Sequence, residues 1–270
     1  MIPGAGPARY TARAIKATGL LEETLILLRA WRPGEPPVDL LRRVRDEGLL
    51  GKATAARAED VVSRVFNHRF LDAPLPAASS VRVLLLKRGV GPWFKDICLL
   101  QSARADVVVR EAVTVFLSGL RQEGRLMLDT ATMQDFLRGQ ENAGRMERPW
   151  SPTVVRRVAQ HVLGQLTDYG ALSTPRRHGV RTVMDYRPTM IALAWLAYDL
   201  HFKGWTDPEV ISHPDWAVFQ LSLGEVRDTL LHLAGPGLWD LQIAGSVTQF
   251  SWACSTMEEA IDAIARLDVP

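Results

Sequence analysis

Residues 151–172 read Ser-Pro-Thr-Val-Val-Arg-Arg-Val-Ala-Gln-His-Val-Leu-Gly-Gln-Leu-Thr-Asp-Tyr-Gly-Ala-Leu, and residues 173–188 continue Ser-Thr-Pro-Arg-Arg-His-Gly-Val-Arg-Thr-Val-Met-Asp-Tyr-Arg-Pro. This stretch decides the reading of the fold. Ser151 is placed to cap the free N–H groups of a first helical turn, and Pro152 suits a position that needs no N–H. Val155, Val158, Val162 and Leu166 recur at helical spacing, with Ala159 and Leu163 widening the stripe. Thr153, Arg156, Arg157, Gln160 and Gly164 fall on the opposite face, which carries no acidic residue. Gly170 is a helix stop. Pro175-Arg176-Arg177-His178-Gly179 reads as a turn, and 180–186 as a strand. Helix, basic turn and strand together predict the recognition helix and wing of a winged helix-turn-helix. Guanidinium groups in such a place suit phosphate oxygens and guanine edges.

Outward from this stretch the chain reads as mainly α. Before it, the pattern predicts a helical, bundle-like N-terminal region with helices near 20–31, 38–47, 53–69, 79–88, 93–104, 106–121 and 131–140. Leu49-Leu50-Gly51-Lys52 is a tight connection between two of them, giving the outline of a second helix-turn-helix. On its second helix Arg57, Arg64 and His68 share a face, with Lys52 just ahead and Asp60 interrupting. Residues 72–80, rich in Pro and Ala, are a candidate linker. Thr132-x-x-Asp135 reads as a capping-box variant. After the central stretch come an apolar helix at 189–203, a helix start at Asp207-Pro208-Glu209, and capping boxes at Ser222-x-x-Glu225 and Ser255-x-x-Glu258. Residues 238–244 and 247–254 alternate around Gly245-Ser246 as a β-hairpin, a second small wing in the C-terminal half. The expected organisation is 1–72 as an N-terminal helix-turn-helix-like domain, 79–190 as a helical domain ending in the winged element, and 191–270 as an acidic winged-helix-like domain.

The net charge of +2 hides an asymmetry. By segment it is +4 over 1–70, +1 over 71–144, +5 over 145–190 and −8 over 191–270. Basic zones fit a nucleic-acid face, and the acidic end fits a protein partner. Two cysteines, Cys98 and Cys254, lie far apart without a Cys-x-x-Cys, so neither a zinc ribbon nor a disulfide scaffold is expected. No signal peptide is expected at the N-terminus. The apolar run 188–198 ends at Asp199, short of the ~20 residues that span a bilayer, so the expected setting is the cytoplasm with no membrane contact.

Catalytic motifs are missing from the sequence. The six histidines form no His-x-x-x-His pair, and no P-loop, Gly-x-Gly-x-x-Gly or Gly-x-Ser-x-Gly elbow occurs. His213-Pro214-Asp215-Trp216 lacks the further carboxylates and lysine of a metal nuclease. The eight tryptophans stand at mostly apolar positions and are expected to fill cores. No enzyme, cofactor or metal is expected. The nucleic-acid-binding candidates are Thr153, Arg156, Arg157 and Gln160 toward the major groove, with Arg176, Arg177, His178 and Arg181 on flanking phosphates. Lys52, Arg57 and Arg64 form a second contact.

Tyr10-Thr11-Ala12-Arg13, Glu22-Glu23-Thr24 with Trp31, Leu49-Leu50-Gly51-Lys52-Ala53-Thr54 and Arg69-Phe70-Leu71 stand in one order along the chain. Thr167-Asp168-Tyr169-Gly170 and Val247–Trp252 follow. In that succession the chain resembles the BrxA family, a core component of BREX (bacteriophage exclusion) systems. The resemblance implies a mainly helical, non-enzymatic, soluble protein that binds double-stranded DNA; a monomer is the expected state. It further implies work beside a methyltransferase, an AAA+ ATPase and a phosphatase-like protein that mark host DNA and block phage. The family supplies no catalytic residues to carry over. Two other roles are compatible with the residues: an adaptor docking a BREX protein through the acidic end, and a transcriptional regulator of the defence locus.

Overall fold

The computed structural model describes residues 9–12, 15, 19–73, 75–235, 237–244 and 247–267. The chain is mainly α, with two small antiparallel sheets of two strands each. Helices α1 (Leu21–Ala30) and α2 (Pro37–Asp46) are followed by α3 (Ala55–Glu59), which continues directly as a π-helical segment, Asp60–Leu71. Thr54 caps α3 by accepting from the Arg57 N–H. Val61, Val62, Val65, Phe66 and Phe70 turn inward from the π segment. Next are α4 (Ala77–Arg88) and α5 (Pro92–Ala105). The candidate linker at 72–80 is thus shorter than its Pro and Ala content predicts. Ala77, Ala78 and Ser80 already belong to α4 and are buried, because Pro at 76 suits the edge of a helix start as well as a loop.

A rod over 107–122 combines α6 (Val107–Glu111), a π segment (Ala112–Leu117) and α7 (Ser118–Gln122). Strand β1 (Met127–Leu128) follows, then α8 (Thr130–Asn142) and α9 (Pro152–Asp168). The box that starts α8 lies three residues earlier than Thr132-x-x-Asp135, between Asp129 and Thr132. Asp129 accepts from the Thr132 N–H at 2.9 Å, and the Asp129 N–H donates to Thr132 Oγ1 at 3.4 Å. A carboxylate directly ahead of the helix outcompetes a threonine inside it for the free N–H groups. Strand β2 (Arg181–Thr182) pairs antiparallel with β1, Met127 opposite Thr182. Leu172 bridges Val183 on the other side, so three short extended pieces lie side by side. The expected strand over 180–186 is shorter than its pattern. Tyr186 leaves it to donate its hydroxyl to buried Asp96 Oδ1 at 2.6 Å.

In the C-terminal part α10 (Met190–Phe202) is apolar all round, and residues 191–200 are all buried, the signature of a core helix. Helix α11 (Asp207–Ser212), a 3₁₀ turn (Pro214–Phe219) and α12 (Leu223–Leu233) precede the hairpin β3 (Trp239–Ala244) and β4 (Val247–Trp252). The expected turn residues Gly245 and Ser246 lie outside the described residues. Helix α13 (Met257–Ala265) follows. Ser222 and Glu225 form the expected box. The last cap is shifted by one residue: Thr256 accepts from the Glu259 N–H, and Glu259 accepts from the Ser255 N–H.

The buried apolar side chains form one contiguous cluster running from Tyr10 to Ile264. Cys98 and Cys254 are both buried free thiols. The C-terminal part is fastened by ions. Arg104, on α5, donates to Asp199 at 2.7 Å and to Asp215 at 2.7 Å. Arg110 reaches Asp215 at 2.6 Å, and Lys203 reaches Asp199 at 2.8 Å. Asp215 is 2% exposed in its side chain. Burial pushes its carboxyl upward, but Arg104 and Arg110 more than offset this and hold it below the ordinary carboxylate range. The His213-Pro214-Asp215-Trp216 run thus supplies the anchor of this cluster.

Candidate nucleic-acid interface

Helix α9 begins as its sequence requires, with the Ser151 hydroxyl accepting from the Val154 N–H. Val155, Val158, Ala159, Val162, Leu163 and Leu166 are buried. Thr153, Arg156, Arg157 and Gln160 are exposed. Among the described residues, neither arginine has a carboxylate within ion-pair range. The apolar face packs on α8, which contributes buried Met133 and Leu137.

Both ends of α9 are fixed by residues far away in sequence. Ahead of it, the 143–150 loop is clipped by Tyr10. The Tyr10 N–H donates to the Arg145 carbonyl at 2.8 Å, and the Glu147 N–H donates to the Tyr10 carbonyl at 3.2 Å. The Tyr10 hydroxyl donates to Glu111 Oε2 at 2.6 Å. The Arg145 guanidinium lies 5.7 Å from the Tyr10 ring centroid and donates to Glu111 Oε1. At the far end, the Gly19 N–H donates to Asp168 Oδ2 at 2.9 Å. Buried Arg69 donates to the Gly19 carbonyl and the Tyr169 hydroxyl, both at 3.2 Å, and to Gln165 Oε1 at 3.1 Å. Burial pushes the Tyr169 hydroxyl up to about 12, so it stays a neutral hydrogen-bonding group.

Beyond Gly170 (φ 83°) the chain turns back along α9. The Ser173 N–H donates to the Thr182 carbonyl at 2.9 Å, and the Met184 N–H to the Ala171 carbonyl at 3.0 Å. Between these strands the 174–180 loop closes through the Arg176 N–H to the Val180 carbonyl at 2.8 Å. His178 (φ 62°) and Gly179 (φ 75°) are both left-handed there. Arg176, Arg177 and His178 are exposed, with no side-chain partner among the described residues. Arg181 differs. Its Nε donates to Thr167 Oγ1 at 3.2 Å and its Nη1 to the Gly179 carbonyl at 3.0 Å.

The second basic group is set among acids. Lys52 is exposed ahead of the Thr54 cap. Arg57 is half-buried and has a partner of its own. Arg64 pairs with Asp60 at 3.4 Å, and His68 Nδ1 lies 3.0 Å from Asp72 Oδ2. The structure thus gathers Thr153, Arg156, Arg157 and Gln160 on one helix face and Arg176, Arg177 and His178 on one loop, while Lys52, Arg57 and Arg64 sit on another element. One candidate the sequence reading left out is Arg148, which is exposed and unpaired among the described residues just ahead of the Ser151 cap. Its place three residues before a capped helix was the available signal. Tyr10 and Arg69 fall in runs that carry the family resemblance, but with Gly19 they act across long sequence separations, so no local pattern gives their roles.

Among the described residues no group of three or more His, Cys, Asp or Glu side chains is placed to hold a metal ion. No helix among them is long and apolar enough to cross a membrane. No curated protein matches the chain. A family model described as BrxA matches residues 8–185, well over half of the sequence and all of the α9 region with its loop. The chain belongs to the BrxA family.

Proposed function

We propose that residues 107–184 are a winged helix-turn-helix and that this protein is a non-enzymatic, double-stranded-DNA-binding accessory subunit of BREX phage defence. The order helix, strand, helix, helix, strand, loop, strand supports the first part, with β1 paired to β2 and 171–173 on the other side. In this reading α8 is the supporting helix, α9 enters the major groove, and the 174–180 loop is the wing. The observation that carries the reading is the exposed, carboxylate-free face of Thr153, Arg156, Arg157 and Gln160 on a helix held rigid at both ends. Arg156 and Arg157 reach guanine edges or phosphates, while Arg176, Arg177 and His178 grip the flanking backbone. The 79–190 segment is then the DNA-contacting unit, with Lys52, Arg57 and Arg64 as a weaker second contact. The protein works beside the methyltransferase, ATPase and phosphatase-like components of the system.

The test is a salt titration of binding to random duplex DNA. Removing one arginine–phosphate pairing lowers the slope of log K against log salt by about 0.9. We expect Arg156→Glu/Arg157→Glu to flatten the slope by about two such steps. A variant that binds with the wild-type slope and affinity overturns the assignment. The charge of −8 over 191–270 supports an additional role as an adaptor on a basic face of another BREX protein. Retention of the partner after deletion of 191–270 would refute that role. A preference for its own promoter of ~10³ or more over random DNA would move the protein to the regulator class.

A further inference from the structure

We propose that the groove between α1, α2 and α4 is a docking site for an acidic, aliphatic-bearing peptide segment of a protein partner. The groove has a volume of about 510 Å³, and four arginines line it: Arg29, Arg32, Arg43 and Arg82. One of them is already engaged. Arg43 donates through Nε and Nη2 to Glu35 at 2.8 and 2.9 Å, and through Nη2 to the Ala30 carbonyl at 2.6 Å. The other three side chains make no hydrogen bond or ion pair among the described residues. The Arg82 Nε is buried and has no acceptor among the described residues. Among the described residues Glu47 is the one carboxylate in the lining, and it stands half-exposed 4.0 Å from Arg43.

The shape and the remaining lining select the class of ligand. Ile26 and Leu49, both half-buried, give the groove an aliphatic floor. Among the described residues no aromatic side chain lines it to stack a base, and no Asn or Gln lines it to read a base edge. A duplex offers phosphates to the arginines but no aliphatic group to cover Ile26 and Leu49. Carboxylates accept the two-pronged guanidinium hydrogen bonds that three unpaired arginines offer, and aliphatic residues between them fill the floor. The groove stands on α1, α2 and α4, whereas the DNA-binding reading stands on α9 and its loop, so the two are tested separately.

The experiment uses the full chain and three labelled probes: a short peptide of repeating Glu-Leu-Glu units, an all-glutamate peptide of equal charge, and random duplex DNA. We expect saturable binding of the Glu-Leu-Glu peptide, tighter than the all-glutamate one. Arg29→Glu/Arg32→Glu should weaken that binding by about tenfold or more. The same variant should lose much less duplex affinity than peptide affinity and keep the wild-type salt slope, because its changes lie outside α9 and its loop. Arg82→Gln is the second variant, keeping most of the side-chain stem. Wild-type melting behaviour in either variant shows that the fold is intact. Absence of peptide binding, or equal binding by wild type and both variants, overturns the proposal. So does a parallel loss of duplex binding, which would make the groove part of the nucleic-acid face.

Discussion

Arg181 Nε donates to Thr167 Oγ1 at 3.2 Å, joining the strand after the basic loop to the last turn of α9. Arg181 also donates to the Gly179 carbonyl, so one guanidinium holds loop tip and helix together. Through these Nε and Nη1 bonds Arg181 braces the loop against the helix. Arg176, Arg177 and His178 are exposed, with no side-chain partner among the described residues.

Arg181→Ala should therefore weaken duplex binding and should also erase the further loss caused by Arg176→Ala/Arg177→Ala, because the loop is no longer aimed. A double-mutant cycle on duplex affinity reads the coupling, expected at about 0.5–3 kcal/mol for groups in one network. Strictly additive effects would show Arg181 to bind independently of the loop.

Gly19 is a second lever on α9. A Cβ added there would stand 2.5 Å from the Asp168 Cβ, too close for either backbone to stay in place. Gly19→Ala should therefore loosen the Gly19–Asp168 bond and destabilise the fold by about 1–3 kcal/mol, the usual cost of overpacking. Urea unfolding measures this, and hydrogen exchange should show the loss concentrated in the final turns of α9.

Asp215 anchors the C-terminal part between Arg104 and Arg110. Removing its charge leaves two guanidinium groups short of a partner, and breaking a buried pair costs about 3–5 kcal/mol. Asp215→Asn should lower the melting temperature accordingly. The pH dependence follows from a carboxyl held below its ordinary range. The stabilisation is complete above the unfolded-state pKa of about 3.9 and disappears as pH falls through the lower folded-state value. Wild type should lose this increment only in strong acid. The variant, lacking it at every pH, should show a flatter acid limb.

Ser151→Ala tests the cap of α9. The expected cost is about 1 kcal/mol, with duplex affinity reduced because the first turn carries Thr153. Ser151→Asp should restore stability, since a carboxylate caps equally well.

Much of this architecture was legible because it is local. The period of Val155, Val158 and Val162 marked the buried side of α9, and Ser151 with Gly170 marked its limits to within a residue. The same arithmetic exposed Arg156 and Arg157. Competition between nearby groups was harder to read. Asp129 displaced the Thr132–Asp135 box, and Tyr186 ended its strand early to reach Asp96. Least legible were bonds with no sequence period at all. Arg69 reads as one more arginine near a helix end, yet it is 7% exposed and holds Gly19, Gln165 and Tyr169 together. The unpaired arginines of the α1–α2–α4 groove are likewise invisible until three helices bring them to one wall.

The Tyr10 clip makes the aim of α9 a joint product of the chain's earliest described residues and a loop more than a hundred positions later. The arginines of the helix are encoded in one short window, but their direction is not. A chain shortened to begin after residue 20 would keep every basic side chain of the face and the Arg69 contacts to Gln165 and Tyr169, but would lose the Tyr10 clip at one end and the Gly19–Asp168 bond at the other.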